Sequence, residues 1–222
     1  MFSEFAEVSS ATWGVIVALL LVGVVVFAVS KDKKRWTARM LANGALCIAL
    51  STVLSFITLY KMPQGGSITL ASMLPMFLFA YAYGVGPGML VGAAYGFVQF
   101  LQGGLYFVHP VELLLDYPLA FAMLGLAGLS NKFSDQWGMI PGIILGTFGR
   151  FVCAFLSGLI FFGMYAPEGQ NVVIYSMVYN GLYLVPEAII CIVLAMIPQI
   201  RQLAKRLALQ DWFNAFLCSP FT

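Results

Sequence analysis

Long apolar stretches follow one another along almost the whole chain, and they constrain the fold more than any other feature. A membrane-spanning helix needs about 20 mostly apolar residues, and seven stretches come close to that length or exceed it. The sequence therefore predicts an all-α, polytopic membrane helix bundle. The seven predicted spans are Trp13–Ser30, Ala38–Tyr60, Ile68–Val85, Gly88–Tyr106, Val111–Leu129, Met139–Tyr165 and Val172–Ile200.

The composition supports a membrane protein and argues against several other classes. Charged residues make up 9% of the 222 residues and hydrophobic residues 61%, whereas a soluble domain averages about 25% charged residues. The four cysteines have no CxxC spacing, and there is one histidine. We therefore expect no metal site, no cofactor and no nucleic-acid partner.

The basic residues predict the orientation. Of the 11 Lys and Arg residues, nine fall on one side of the predicted spans, Lys61 falls on the other, and Arg150 lies within a span. Because cytoplasmic loops are enriched in such residues, we expect an outside N-terminus and a cytoplasmic C-terminus in the cell membrane. Acidic residues precede the first span and KDKKRW follows it, which favours an uncleaved helix over a signal peptide.

Four ionisable residues lie in or against the predicted membrane: Glu112, Asp116, Arg150 and Glu187. Such residues usually mark a pathway or a pair. We expect solvent to cover Glu112 at the outer end of its helix, and Arg150 to pair with Glu187. Asp116 would then be free to receive a positively charged ligand. In the alternative, tyrosine hydroxyls or backbone groups satisfy its carboxylate.

Aromatic and amide side chains gather at the outer ends of the predicted helices. Aromatic belts at the membrane interface produce such an enrichment without a ligand. An amide two turns into the membrane needs a partner, however, so the set also suits a flat, cationic, hydrogen-bonding molecule. The residues are Tyr106, Tyr117, Phe161, Phe162, Tyr165, Tyr175, Tyr179, Asn180 and Tyr183.

Small residues recur at helical spacing. Such residues let helix backbones approach closely, so the pattern predicts packing inside the bundle. Equally, the stripe on the second predicted span could dock onto a partner protein, and the spacing alone does not separate the two. The stripe is Ala38, Ala42, Ala45 and Ala49, and the glycine pairs are Gly92 with Gly96 and Gly142 with Gly146.

Several motifs in order resemble one family, the thiamine-specific substrate-binding subunits of energy-coupling factor transporters. They are MPQGGSITLASMLPMF, YGVGPGMLVGAAYGFVQFLQGG, LLLDYPLAF, GRFVCAFLSGLIFFGMYAPEG and IYSMVYNGLYLVPE. The resemblance implies a six-helix vitamin-binding core over residues 38–200. Residues 1–37 would then be an additional N-terminal helix with a basic loop, and residues 201–222 a cytoplasmic tail.

The resemblance also implies a function. Such a subunit is not an enzyme: it captures its vitamin outside and delivers it inward together with a membrane scaffold subunit and two cytoplasmic ATPases. The loop KMPQGGS, with Ser67, resembles the family's lid over the site. The expected ligand residues are Asp116, Tyr117, Tyr106, Tyr175 and Asn180, and the expected scaffold-docking residues are Ala42, Ala45 and Ala49.

Two expected ligand residues depart from the family pattern. Ala154 stands where the family has a histidine, and Phe162 stands where it has a tryptophan. The alternative substrates are therefore a pyridoxine-type vitamin or a hydroxymethylpyrimidine. Two other classes remain as alternatives: a proton-coupled carrier using Asp116, and an intramembrane hydrolase using Asp116 alone or with Glu187.

Overall fold

The fold comes from a computed structural model that describes residues 36–63, 65–103, 110–132, 138–167, 169–204 and 206–207. The first predicted span, Tyr106 and the tail beyond residue 207 lie outside these residues, so the predictions made for them are not tested. The described chain forms a helical bundle with one small hairpin, which confirms the all-α fold class. Its elements are α1 (Ala38–Phe56), β1 (Thr58–Lys61), β2 (Ser67–Thr69), α2 (Leu74–Tyr83), α3 (Val85–Gln102), α4 (Pro110–Lys132), α5 (Met139–Phe161) and α6 (Val172–Ala195).

Four of the helices are long and apolar enough to cross a membrane: α1, α4 over Val111–Ser130, α5 and α6. Helix α2 is shorter and lies inside the bundle, with nine of its ten residues buried. Around it pack α1, α3, α5 and the C-terminal part of α4. Large apolar side chains such as Phe56, Leu101 and Phe148 are exposed on the outer surface, as expected of a bundle whose solvent is lipid.

The hairpin corrects the predicted bounds of two spans. The second span was expected to continue to Tyr60 and the third to begin at Ile68, but Tyr60 and Ile68 are cross-strand partners in an antiparallel pair. Both strands are short and mix apolar with polar residues, and so short a run does not distinguish a strand from a helix end. Helix α1 therefore ends at Phe56, and the next helix begins only at Leu74.

Helix α4 is irregular. It starts as an α-helix over Pro110–Leu114, widens to a π-type turn over Leu115–Leu119, is α-helical again over Ala120–Ala122, and tightens to a 3₁₀ helix over Met123–Lys132. Pro118 lies within the π-type turn. Proline has no N–H to donate and its ring crowds the preceding turn, which accounts for the widening at this place.

The glycine pairs pack inside the bundle, as the spacing predicted. A Cβ at Gly96 would lie 2.5 Å from the carbonyl oxygen of Tyr117, and one at Gly92 would meet the carbonyl oxygen of Phe121. Gly142 and Gly146 likewise face α4 at close range. These glycines therefore let α3 and α5 approach the backbone of α4.

The alanine stripe behaves differently. Helix α1 buries Met40, Gly44, Cys47 and Ser51, which lie on the face toward α2 and α3. Ala38, Ala42, Ala45 and Ala49 are all exposed. Packing within the described bundle therefore does not account for the stripe.

Candidate functional site

Asp116 lies in the π-type turn of α4 and meets α5. The side chain is half-buried, and Ser157 Oγ donates a hydrogen bond of 2.7 Å to its Oδ2. Ser157 itself is fully buried, so its hydroxyl holds the carboxylate at a defined place. Within the described part of the chain, no Lys or Arg forms a direct ion pair with Asp116, although the charge of Arg150 acts on it from a distance. The carboxylate is thus anchored by a neutral donor.

A second group of polar side chains joins α5 to α6. Asn180 Nδ2 donates to the carbonyl oxygens of Ala154 at 3.2 Å and Ser176 at 2.9 Å. The Tyr183 hydroxyl donates to Asn180 Oδ1 at 2.9 Å, and Ser176 Oγ donates to the Phe155 carbonyl at 2.8 Å. Gly158 makes this contact possible, because a Cβ there would collide with Ser176 Oγ.

The hairpin reaches the same part of α6. The backbone N–H of Gly66 donates to the Tyr179 hydroxyl at 3.2 Å, and a Cβ on Gly66 would lie 2.9 Å from the Tyr183 ring. Ser67 follows directly as the first residue of β2 and is half-buried. The segment predicted to be a lid therefore contacts the tyrosines beside Asn180.

The other predicted residues border this region. The Tyr117 ring makes an edge contact with Phe100 on α3, at 5.5 Å between centroids, so it faces α3 whereas Asp116 faces α5. Phe162 follows the last residue of α5 and lies 5.9 Å from the Tyr165 ring. Tyr175 lies 6.0 Å from Tyr179 on α6.

All these contacts lie at one end of the bundle, where α1 and α5 finish and α4 and α6 begin. Asp116 and Tyr117 come from the first part of α4, Ala154 and Phe162 from the last part of α5, and Asn180 from the first part of α6. Ala154 is buried, and its backbone rather than its side chain holds Asn180. The predicted binding residues therefore come from elements that meet at the same end.

Two expectations about charged residues are wrong. Glu112 is not a solvated group, because only 4% of it is exposed. Arg150 does not form an ion pair with Glu187 among the residues that the structure describes. Instead, its guanidinium carbon lies 4.1 Å from the centre of the Phe121 ring, and a ring face attracts a cation.

Glu187 has its own set of partners. Its Oε1 accepts hydrogen bonds from Thr69 Oγ1 at 2.5 Å and Ser72 Oγ at 2.8 Å. Both donors precede α2, so the carboxylate connects α6 to the segment after β2. Glu187 and Asp116 therefore occupy separate hydrogen-bonded environments, and the geometry does not form the paired-carboxylate site of the hydrolase alternative.

Sequence reasoning missed Ser157, Ser176, Thr69 and Ser72. Serine and threonine are common in membrane helices, and no spacing rule marked these four. A usable signal was present for Ser176, which lies four residues before Asn180 and hence on the same helix face. Ser157 and Gly158 form a small pair that allows the close approach of α6.

The fold and the site together define the class: a multi-pass membrane protein whose polar side chains converge at one end of an apolar bundle. Comparison with known families is more specific. Residues 41–207 match the family model described as "Thiamine transporter protein (Thia_YuaJ)". The match covers well over half of the chain, so the chain belongs to this family.

Individual relatives agree with the family assignment. The chain is 36% identical over 160 residues to the thiamine transporter ThiT of Bacillus subtilis (strain 168), a match covering 66% of this chain and 83% of the relative. It is 32% identical over 123 residues to ThiT of Lacticaseibacillus paracasei, covering 49% of this chain and 61% of the relative. The solved structure of ThiT from Listeria monocytogenes has the same fold, with a TM-score of 0.67 at 24% identity over 76% of this chain and 96% of that one.

Proposed function

We propose that this chain is the substrate-binding subunit of an energy-coupling factor importer and that it captures thiamine at the outer end of α4, α5 and α6. The observation that carries the proposal is the environment of Asp116. A carboxylate in an apolar bundle normally has a cationic partner, yet this one is held by the neutral Ser157. The thiazolium ring of thiamine is a permanent cation and supplies a direct cationic partner.

The surrounding groups suit the rest of such a ligand. Tyr175 and Tyr179 present neighbouring rings, and aromatic faces attract cations and stack on flat rings. Asn180 and Tyr183 form a fixed hydrogen-bonded pair next to them. In this proposal Asn180 and Tyr175 meet the aminopyrimidine ring, while Asp116 and Tyr117 meet the thiazolium side.

The departures at Ala154 and Phe162 bear on the substrate. Phe162 retains an aromatic ring at the end of α5, so stacking on a ligand ring is preserved. Ala154 cannot donate a hydrogen bond from its side chain, and Tyr117, Tyr175 and Asn180 take over the polar contacts in this proposal. Thiamine is therefore retained as the substrate.

The exposed alanine stripe supports the proposed partners. Ala42, Ala45 and Ala49 leave a shallow, smooth face on α1, and small residues are the ones at which membrane helices approach most closely. We propose that the membrane scaffold subunit docks on this face and that two cytoplasmic ATPases act through it. The distribution of basic residues supports a proposed orientation with the C-terminus in the cytoplasm.

Titration calorimetry of the purified full chain tests the substrate. The panel is thiamine, its neutral pyrimidine half, pyridoxine and pyridoxamine. Tight binding of thiamine alone is the expected result. Tight binding of pyridoxine, or of the pyrimidine half in preference to thiamine, would replace the substrate assignment. Uptake that persists without the ATPases and stops when the proton gradient is collapsed would favour a proton-coupled carrier.

A further inference from the structure

A buried carboxylate outside the proposed binding site is enclosed by one short segment of chain. Glu187 is 2% exposed, and its Oε1 lies 2.5 Å from Thr69 Oγ1 and 2.8 Å from Ser72 Oγ. The two hydroxyl oxygens are themselves 2.7 Å apart. Residues 69–72 thus supply two donors to a single carboxyl group of α6.

This segment is the junction between the hairpin and the buried helix α2. Strand β2 ends at Thr69, and α2 begins at Leu74. Within the junction, Ala71 has φ of 57°, a left-handed conformation that is unfavourable for a non-glycine residue. Hydrogen bonds to Glu187 on either side of Ala71 offset that cost, so the turn depends on the carboxylate for its shape.

Among the described residues, hydrogen bonds join α6 to the hairpin and its base at two places, and the two contacts differ in strength. Near the turn, the contact is the bond of 3.2 Å from the Gly66 N–H to the neutral Tyr179 hydroxyl. At the base, the contact is a buried carboxylate with short bonds to two hydroxyls. Two short bonds to one buried carboxyl group hold more firmly than one longer bond, and a buried polar group left without its donors is unfavourable, so the base contact sets where β2 lies on α6.

We propose that Glu187 is a positioning residue that acts through Thr69 and Ser72. It fixes the register of β2 against α6, so that Gly66 meets Tyr179 beside Asn180. Its effect on a ligand rests on the proposed function, because a displaced hairpin no longer covers the tyrosines that would hold thiamine. The anchoring itself does not depend on which ligand is bound.

Two threonine variants test the anchor with matched chemistry. Thr69→Val removes the hydroxyl that bonds Glu187 and keeps the side-chain shape. Thr147→Val on α5 is the control: Thr147 is similarly buried, 8% exposed against 5% for Thr69, and its hydroxyl has no hydrogen-bond partner among the described residues. Glu187→Gln changes the anchoring carboxyl group itself. If Glu187→Gln does not fold, Thr69→Val still tests the anchor.

Hydrogen exchange of the ligand-free full chain in detergent gives the first readout. Removing a hydrogen-bond donor from a buried polar group speeds local opening about tenfold. We expect this at the amides of β1 and β2 in Thr69→Val, with unchanged exchange in α5 and no change anywhere in Thr147→Val. Unchanged exchange in the hairpin would overturn the anchor. An equal increase of the exchange rate in α5 would also overturn the anchor, because it would indicate general destabilisation.

The dissociation rate of thiamine gives the second readout. We expect thiamine to leave Thr69→Val about tenfold faster than the unmodified protein, on the same energetic basis, and to leave Thr147→Val at the unmodified rate. Equal dissociation rates in all three proteins would overturn the positioning role. If the unmodified chain does not bind thiamine, the proposed substrate fails, and the exchange comparison still decides the anchor.

Discussion

Asp116→Asn is the most informative single change, because it removes the charge of the proposed cation receptor and keeps its shape. The asparagine oxygen can still accept the bond of 2.7 Å that Ser157 Oγ donates to Asp116. Loss of affinity would therefore report the charge and not a collapse of the site. The variant should fold, since the half-buried carboxylate has no ion-pair partner among the described residues to leave behind.

The magnitude follows from the surroundings. Two unit charges 4 Å apart attract with about 4 kcal/mol at an effective dielectric constant of 20. The nearby charges of Arg150 and Glu112 are of opposite sign, so they act in opposite directions on Asp116. Replacing the carboxylate by an amide dipole retains part of the attraction, and we expect a loss of about 2–4 kcal/mol, or roughly 30-fold to 1,000-fold in Kd.

Titration calorimetry with two ligands separates the effect of the Asp116 charge from any change in the shape of the pocket. Thiamine should lose affinity to Asp116→Asn by the stated amount, whereas its neutral pyrimidine half should bind both proteins equally. Unchanged thiamine affinity would refute the cation-receptor assignment. An equal loss for both ligands would also refute it, because the substitution would then have disturbed the pocket and not a charge–charge contact.

Three further predictions address other parts of the molecule. Ala45→Leu places bulk on the exposed stripe of α1, so the isolated subunit should bind thiamine normally while uptake in cells stops; loss of binding in isolation would place Ala45 in the bundle interior instead. The double variant Ala154→His with Phe162→Trp should strengthen thiamine binding in calorimetry or leave it unchanged. Thiamine binding weaker by about 1–3 kcal/mol, which is the usual scale of overpacking, would indicate a pocket shaped for another ring. Gly96→Ala should lower the stability measured by thermal unfolding by about 1–3 kcal/mol, because its Cβ would lie 2.5 Å from the Tyr117 carbonyl oxygen. Gly181→Ala is the control and should be neutral or stabilising, because a Cβ at Gly181 would meet nothing within 4 Å.

The class of fold could be predicted from the sequence because lipid imposes a simple requirement: about 20 apolar residues per span. The spans that become α1, α4, α5 and α6 were recognised on that basis. Close packing of the glycine pairs was also predictable, since their spacing marks one helix face. The hairpin was not predictable, because its strands of four and three residues are too short to show an alternating pattern.

The charged residues show more clearly what could not be predicted from the sequence. Sequence placed Arg150 and Glu187 at similar depth and suggested a pair, but depth does not give direction around a helix axis. Arg150 lies over the Phe121 ring, and Glu187 faces Thr69 and Ser72. For Asp116, in contrast, the sequence identified the residue through its cost in a membrane, although it gave no indication that Ser157 would be the donor.

The shortness of α2 has a consequence for the membrane around the protein. The ten residues of α2 are about 15 Å long at about 1.5 Å per residue. This is about half the thickness of a hydrocarbon core, which is about 30 Å. The hairpin that precedes α2 exposes Leu59 and Tyr60, apolar and amphipathic side chains that suit the boundary between lipid and water. Because α1 is long enough to cross a membrane and ends at Phe56, next to the hairpin, the hairpin lies at one membrane boundary, and the turn at Gly84 after α2 lies about midway through the bilayer. Residues 82–89 are buried, which shields this non-helical backbone from lipid.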